Sequence, residues 1–220
     1  MDLQRTDEWF AARLGRVTAS RIADVCARTK TGWGAGRKNY MAELVAERLT
    51  GTRQEGFTNA AMQWGTDQEP EARIAYEFYR DATVVETGFV PHPSIAETGA
   101  SPDGLVRDDG LVEIKCPNTA THLETLLGAE LPQKYFYQIQ WQLSCTGRQW
   151  CDFVSYDPRL PEAMRLHVER VSREDIVIAA LEKDVIDFLN ELRDTVHRLK
   201  AKYEPDNADA PEVVRLMAAG

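Results

Sequence analysis

An aspartate between proline and glycine, then a glutamate and a lysine two residues apart, make "GASPDGLVRDDGLVEIKCP" the chemically richest stretch of this 220-residue chain. Residues two apart on a strand share a face, so Glu113 and Lys115 point together. Val112, Ile114 and Cys116 then point the other way, into a core. Pro102 and Gly104 favour a bend that turns Asp103 toward Glu113. Two converging carboxylates repel unless something positive lies between them. A hard cation such as Mg²⁺ takes oxygen ligands and resolves that repulsion. Lys115 beside it suits the positioning of a water or the stabilisation of developing negative charge. A lone Glu-x-Lys is usually a solvated strand edge and Pro-Asp-Gly alone is a turn. Their ordered combination on adjacent short strands is the rarer feature.

Short elements must position these groups. "TDEWFAARLG" and "TASRIADVCAR" each read as a short helix with a threonine near its start. "RKNYMAELVAERLTG" carries Tyr40, Leu44, Val45 and Leu49 at helical spacing and closes at Gly51. "AAMQWGTDQEPEARIAYEFYRD" predicts a longer helix, irregular around Gly65 and Pro70. "TVVETGFV" and the opening hairpin are β-prone, and "PQKYFYQIQWQLSCTG" predicts a buried helix ending at Gly147. Two strands, "QWCDFVSYD" and "AMRLHVERV", precede a long amphipathic helix capped by Ser172. Helices, a central run of strands and helices again predict one α/β domain around a mixed sheet flanked by helices, spanning 1–203. Residues 204–220 read as a mobile tail.

Composition narrows the class. Hydrophobic residues at 43% and charged residues at 28% suit a globular protein and are too apolar for disorder. No apolar run reaches membrane-spanning length and no signal-peptide core opens the chain, so a cytoplasmic protein is expected. Cys26, Cys116, Cys145 and Cys151 are scattered with no CxxC pair, which argues against a zinc ribbon or an iron–sulfur cluster. His92, His122, His167 and His197 show no triad-like or metal-like spacing. The net charge is −9, yet residues 1–54 hold ten Lys/Arg against six Asp/Glu. A basic N-terminal segment on an acidic body suits a protein that grips a polyanion locally.

The Pro-Asp…Glu-x-Lys order resembles the PD-(D/E)xK nuclease signature. "RLGRVTAS", "WGTDQEPEAR", "SPDGL", "VEIKCP", "YFYQIQ" and "YDPR" extend the resemblance to the phage λ exonuclease and YqaJ-type viral recombinases, from Trp9 to Arg159. The resemblance implies a restriction-endonuclease-like α/β core with a long C-terminal helix. It also implies a Mg²⁺-dependent 5′→3′ exonuclease on double-stranded DNA ends, with two ions per active site and Mn²⁺ as a substitute. The product would be mononucleotides and a 3′ single strand for recombination by single-strand annealing. A ring-shaped homotrimer and a phage-type annealing protein as partner are further implications. Within the superfamily the same residues also serve endonucleases and nickases, and an inactive DNA-binding scaffold is a third reading.

By the same resemblance Glu69, Asp103, Glu113 and the carbonyl of Ile114 are metal ligands, and Lys115 is the catalytic lysine. The residues themselves do not select Glu69 over Asp67 or Glu71. Gln138 either orients Lys115 or a water, or is a satisfied core amide. Arg13, Ser20 and Ser101 map to a pocket for the 5′-terminal phosphate, where a guanidinium fork and hydroxyls suit a monoester. Plainer alternatives are a helix cap for Ser20 and a turn hydroxyl for Ser101. Trp9 corresponds to an aromatic near the DNA end and Met62 to a wedge between separating strands; core packing is the alternative for both. Lys30 stands where the family can present arginine to DNA, keeping the charge without the fork.

Overall fold

The computed structural model describes residues 4–54, 60–203 and 214, so the expected tail lies outside the described residues apart from Val214. The chain opens with α1 (Asp7–Arg13), β1 (Val17–Thr18), a 3₁₀ turn at Ala19–Arg21 and α2 (Ile22–Val25). A small hairpin, β2 (Arg28–Thr29) and β3 (Gly32–Trp33), leads into α3 (Ala35–Thr50) and α4 (Ala60–Arg80). Next come β4 (Val84–Val85), β5 (Val90–Pro91), β6 (Thr98–Ala100), β7 (Gly104–Val106) and β8 (Gly110–Lys115). Then α5 (Thr119–Leu126), α6 (Gln133–Thr146), β9 (Trp150–Tyr156), β10 (Leu166–Ser172) and α7 (Asp175–Tyr203) complete the fold.

Local chemistry sets the ends of these helices. The Thr6 hydroxyl accepts the Trp9 N–H at 3.2 Å and caps α1. Helix α3 stops at Gly51, whose φ of 67° is the left-handed conformation that glycine adopts without strain. Five strands form the main sheet in the order β10-β9-β8-β7-β4. The β8–β9 pair is parallel and the others are antiparallel, giving the mixed sheet expected. A second sheet, β1-β6-β5, carries Ala100 at its end, one residue before Ser101.

Helix α4 covers one face of the main sheet, burying Ala72 and Tyr76 against Val112, Ile114 and Val154. Helix α6 covers the other with Ile139 and Leu143 against Leu111 and Phe153. Its back packs into α2, α3 and α7 through Trp141, Phe188 and Leu44. Every residue of α6 from Gln138 to Cys145 is buried, so any polar side chain there needs a partner. Strand β8 is therefore covered on both faces. Glu113 belongs to an interior face, not the exposed strand face that alternation alone suggests.

Other expectations are corrected too. "TASRIADVCAR" is not one helix, because Val17–Thr18 pair in parallel with Thr98–Gly99 and leave only a short turn and α2. Helix α4 runs unbroken past Pro70, its buried Ala72–Tyr76 face offsetting the roughly 3 kcal/mol an internal proline costs. Ser172 ends β10 and does not cap α7, which begins at Asp175. "TVVETGFV" splits between the two sheets.

Candidate active site

Asp103 lies in the link between β6 and β7. Its Oδ2 accepts the Ile114 N–H at 2.7 Å, where the pairing of β7 with β8 has ended at Val112. The aspartate thus takes up a strand N–H that has lost its β7 partner and is fixed beside Glu113. Glu113 is 1% exposed and accepts from three donors. Lys115 Nζ and Gln138 Nε2 meet its Oε1, the latter at 2.6 Å, and Gln142 Nε2 meets its Oε2 at 2.6 Å. Gln138 therefore donates directly to Glu113, on the same carboxylate oxygen that Lys115 meets.

Gln142 is a site residue that sequence reasoning missed. The signal was its i,i+4 spacing from Gln138, which puts both amides on one face of α6. Gln140, between them, faces away and brackets the start of α7, donating to the Ser172 carbonyl and accepting the Glu174 N–H, both at 2.8 Å. Buried charge is tolerated only when paired and hydrogen-bonded, and the two glutamines with Lys115 meet that condition for Glu113.

The centre is electrostatically loaded. Burial raises the Asp103 carboxyl well above its ordinary value and the Glu113 charge adds to this. Lys115 opposes the shift, Glu69 reinforces it and the Ile114 N–H works against it. For Lys115, burial alone would lower the ammonium, but Glu113 and Asp103 outweigh it and raise it above the usual lysine value. Lys115 is therefore a fixed cation at neutral pH, and the Tyr135 ring lies 5.4 Å from its Nζ.

Glu69 sits on α4 with Oε2 on Arg5 at 2.7 Å and Oε1 on Arg73 at 3.3 Å. Asp67 instead takes a hydrogen bond from Gln63, and Glu71 takes one from the Tyr156 hydroxyl. Of these three acids, Glu69 is the one whose charge raises Asp103, which separates it from its neighbours. Among the described residues no group of three His, Cys, Asp or Glu side chains is arranged to hold a metal ion. The structure brings Asp103, Glu113 and Lys115 together and keeps the Glu69 oxygens on arginines.

Two residues before Asp103, Ser101 faces α1. Its Oγ accepts from Trp9 Nε1 at 2.9 Å and from Arg13 Nη1 at 3.1 Å. A hydroxyl that accepts twice has its own hydrogen left to donate. The Arg13 guanidinium also lies 4.2 Å over the Trp9 ring. A cavity of about 270 Å³ opens here, lined by Trp9, Arg13, Arg16, Ser20, Arg21 and Arg53 among others. Arg21 is taken up by Asp24 and Glu43. Ser20 is exposed beside Thr18, 3.4 Å between the hydroxyls, and caps no helix. Trp9, Arg13 and Ser20 line this cavity, and Ser101 is tied to it through its bonds to Trp9 and Arg13. Met62 is 57% exposed on the first turn of α4, which rules out core packing. Lys30 lies exposed on the β2–β3 turn and lines no part of this cavity.

The family model of the YqaJ-like viral recombinase domain matches residues 8–149. The chain belongs to that family. All of the convergent residues named above fall inside the matched span. LHK-Exo, an alkaline exonuclease from Laribacter hongkongensis, is 55% identical with a TM-score of 0.83 over 89% of this chain and 96% of that one. A second LHK-Exo structure, with the same identity and coverage, is a complex with dAMP. A phage-related exonuclease from Haemophilus somnus 129PT shares the fold at 14% identity, with a TM-score of 0.65 over 84% and 96% of the two chains. No curated protein matches the chain. The YqaJ-like chain therefore has the α/β nuclease fold, with the long C-terminal helix α7. Among its described residues no helix is long and apolar enough to cross a membrane.

Proposed function

We propose that this protein is a divalent-metal-dependent 5′→3′ exonuclease acting on double-stranded DNA ends in recombination. The observation that carries the reading is the Ser101–Asp103 segment, which joins an arginine-lined cavity to a carboxylate–lysine centre. Two residues of chain span at most about 7 Å. That distance fits one nucleotide, with its 5′-phosphate at Arg13 and Ser101 and its 3′-phosphodiester at Asp103 and Lys115. The enzyme then releases 5′-mononucleotides, the class to which the dAMP bound by LHK-Exo belongs.

Each residue has a stated task. Arg13 and the donating hydroxyl of Ser101 bind the terminal monoester, and Trp9 fixes both. Lys115 holds positive charge against the phosphate as it gains negative charge in the transition state. Gln138 and Gln142 fix Glu113, and the Ile114 N–H fixes Asp103. The donor set consists of hard carboxylate oxygens, with Asp103 raised first by burial and then by the Glu113 charge, and an oxygen-seeking cation among them would relieve that repulsion. When bound by Asp103, Glu113, the Ile114 carbonyl and Glu69, Mg²⁺ or Mn²⁺, as two ions, would activate water and neutralise the leaving 3′-oxygen. The acidic balance outside residues 1–54 suits a homotrimeric ring that confines duplex to its bore and leaves a 3′ overhang for an annealing partner. A cytoplasmic setting accords with these partners.

Polarity is the testable part. Linear duplex with a 5′-phosphate should be digested about tenfold or more faster than the same duplex with a 5′-hydroxyl, since each charge-assisted hydrogen bond contributes roughly 1.5–3 kcal/mol. Arg13→Ala should erase most of that difference. Equal rates on the two ends would overturn the pocket assignment.

A further inference from the structure

Arg5 reaches the carboxylate centre from the segment that precedes α1. Gln4 Nε2 donates to the Pro102 carbonyl at 2.7 Å and to the Thr87 carbonyl at 3.2 Å. Thr6, on the other side, caps α1. Between these anchors Arg5 has a φ of 69°, a left-handed conformation that strains any residue with a Cβ. Such a conformation persists where its surroundings over-determine it, and it concentrates at functional sites. Here it delivers the guanidinium to Glu69, Nη2 to Oε2 at 2.7 Å, while the Arg5 side chain stays 49% exposed.

Holding Glu69 does not require Arg5. Arg73, one helical turn along α4 and 17% exposed, already binds the other oxygen of Glu69 and is itself held by Glu86. A guanidinium carries five N–H donors, and a half-exposed fork keeps several for a second anion. The anchor of this arm, Pro102, stands between Ser101 and Asp103, the two ends of the nucleotide-length segment.

We propose that Arg5 is a substrate-contacting residue that binds the phosphodiester of the strand being cut, between the terminal-phosphate cavity and the Asp103–Glu113–Lys115 centre. Glu69 orients its fork, and the Gln4 clamp sets its distance from the 101–103 segment. This inference rests on the exonuclease reading. It adds a positive group contributed by residues outside the family-matched span, which begins at residue 8.

The test compares wild type with Arg5→Ala, Arg5→Lys and Arg5→Asn, the last a residue tolerant of the left-handed region. A fluorescent 5′-phosphorylated duplex is titrated in chelator, so that neither chemistry nor metal affinity contributes. Arg5→Ala should weaken end binding about five- to tenfold and lower the salt dependence by about one counterion. Arg5→Lys should retain most of the affinity and Arg5→Asn should resemble alanine. Calorimetric Mg²⁺ affinity should stay within about twofold of wild type, because Arg73 still holds Glu69. Unchanged DNA affinity and salt slope would overturn the proposal. So would intact DNA affinity with weakened Mg²⁺ binding, which would make Arg5 a support for Glu69 only, or digestion faster than wild type, which would make it a competitor of the cation. Wild-type digestion of linear duplex, run alongside, separates the two claims. If wild type digests and Arg5→Ala is indistinguishable from it, only the role of Arg5 fails.

Discussion

Lys115→Ala should lower the rate of linear-duplex digestion by on the order of 10²–10³-fold, the loss that follows removal of one preorganised group from a developing charge. The lysine is not a mobile surface cation. Glu113 and Asp103 hold its ammonium at the centre and raise it above its ordinary value, so its charge costs no reorganisation when the phosphate reacts. Grip on the duplex end comes from the separate arginine-lined cavity, so end affinity should change by less than about threefold. Single-turnover cleavage and equilibrium binding of the same 5′-phosphorylated duplex measure the two quantities. Near-normal cleavage would remove Lys115 from the mechanism.

Glu113→Ala and Asp103→Asn should both abolish cleavage yet move stability in opposite directions. Alanine at 113 leaves Lys115, Gln138 and Gln142 without the acceptor they share. Breaking a buried, hydrogen-bonded charge pair costs about 3–5 kcal/mol, which lowers Tm by roughly 6–20 °C in a chain of this size. Asp103 behaves otherwise, because its carboxyl is raised in the folded chain by burial and by Glu113. The folded state keeps that proton over a pH range in which the unfolded chain has lost it. Stability therefore falls as pH climbs from the ordinary carboxylate value toward the raised one. Asparagine has no proton to lose and its carbonyl can still accept the Ile114 N–H. In chelator at neutral pH, Asp103→Asn should melt higher than wild type, and the difference should shrink as pH falls toward 4. Scanning calorimetry across pH checks both signs. A destabilised Asp103→Asn at neutral pH would contradict the electrostatic account of the centre.

The chemistry was more legible in the sequence than its supports. Asp103, Glu113 and Lys115 could be read because a strand period of two and one turn suffice to bring them together. The helices α3, α4, α6 and α7 showed through their apolar spacing, and α3 and α6 also through the glycines at which they end. What failed depended on partners distant in sequence. Val17–Thr18 is a strand only because Thr98–Gly99 lies beside it, and no local pattern announces a two-residue parallel pair. The burial of Glu113 required knowing that α6 covers that face of β8, so Gln142 went unseen although its spacing from Gln138 was visible. Gln4 and Arg5 precede every recognisable motif, and their place at the site follows from a carbonyl at Pro102 and a carboxylate at Glu69.

The most direct measurement is digestion of a linear duplex labelled at its 5′ end, in Mg²⁺ and in chelator, beside a covalently closed circle of the same sequence. The account predicts labelled 5′-mononucleotide as the first product in Mg²⁺, no product in chelator and an intact circle. Cleavage of the circle, or release of label only as internal fragments, would contradict an end-dependent exonuclease and point to an endonuclease built on the same carboxylates and lysine.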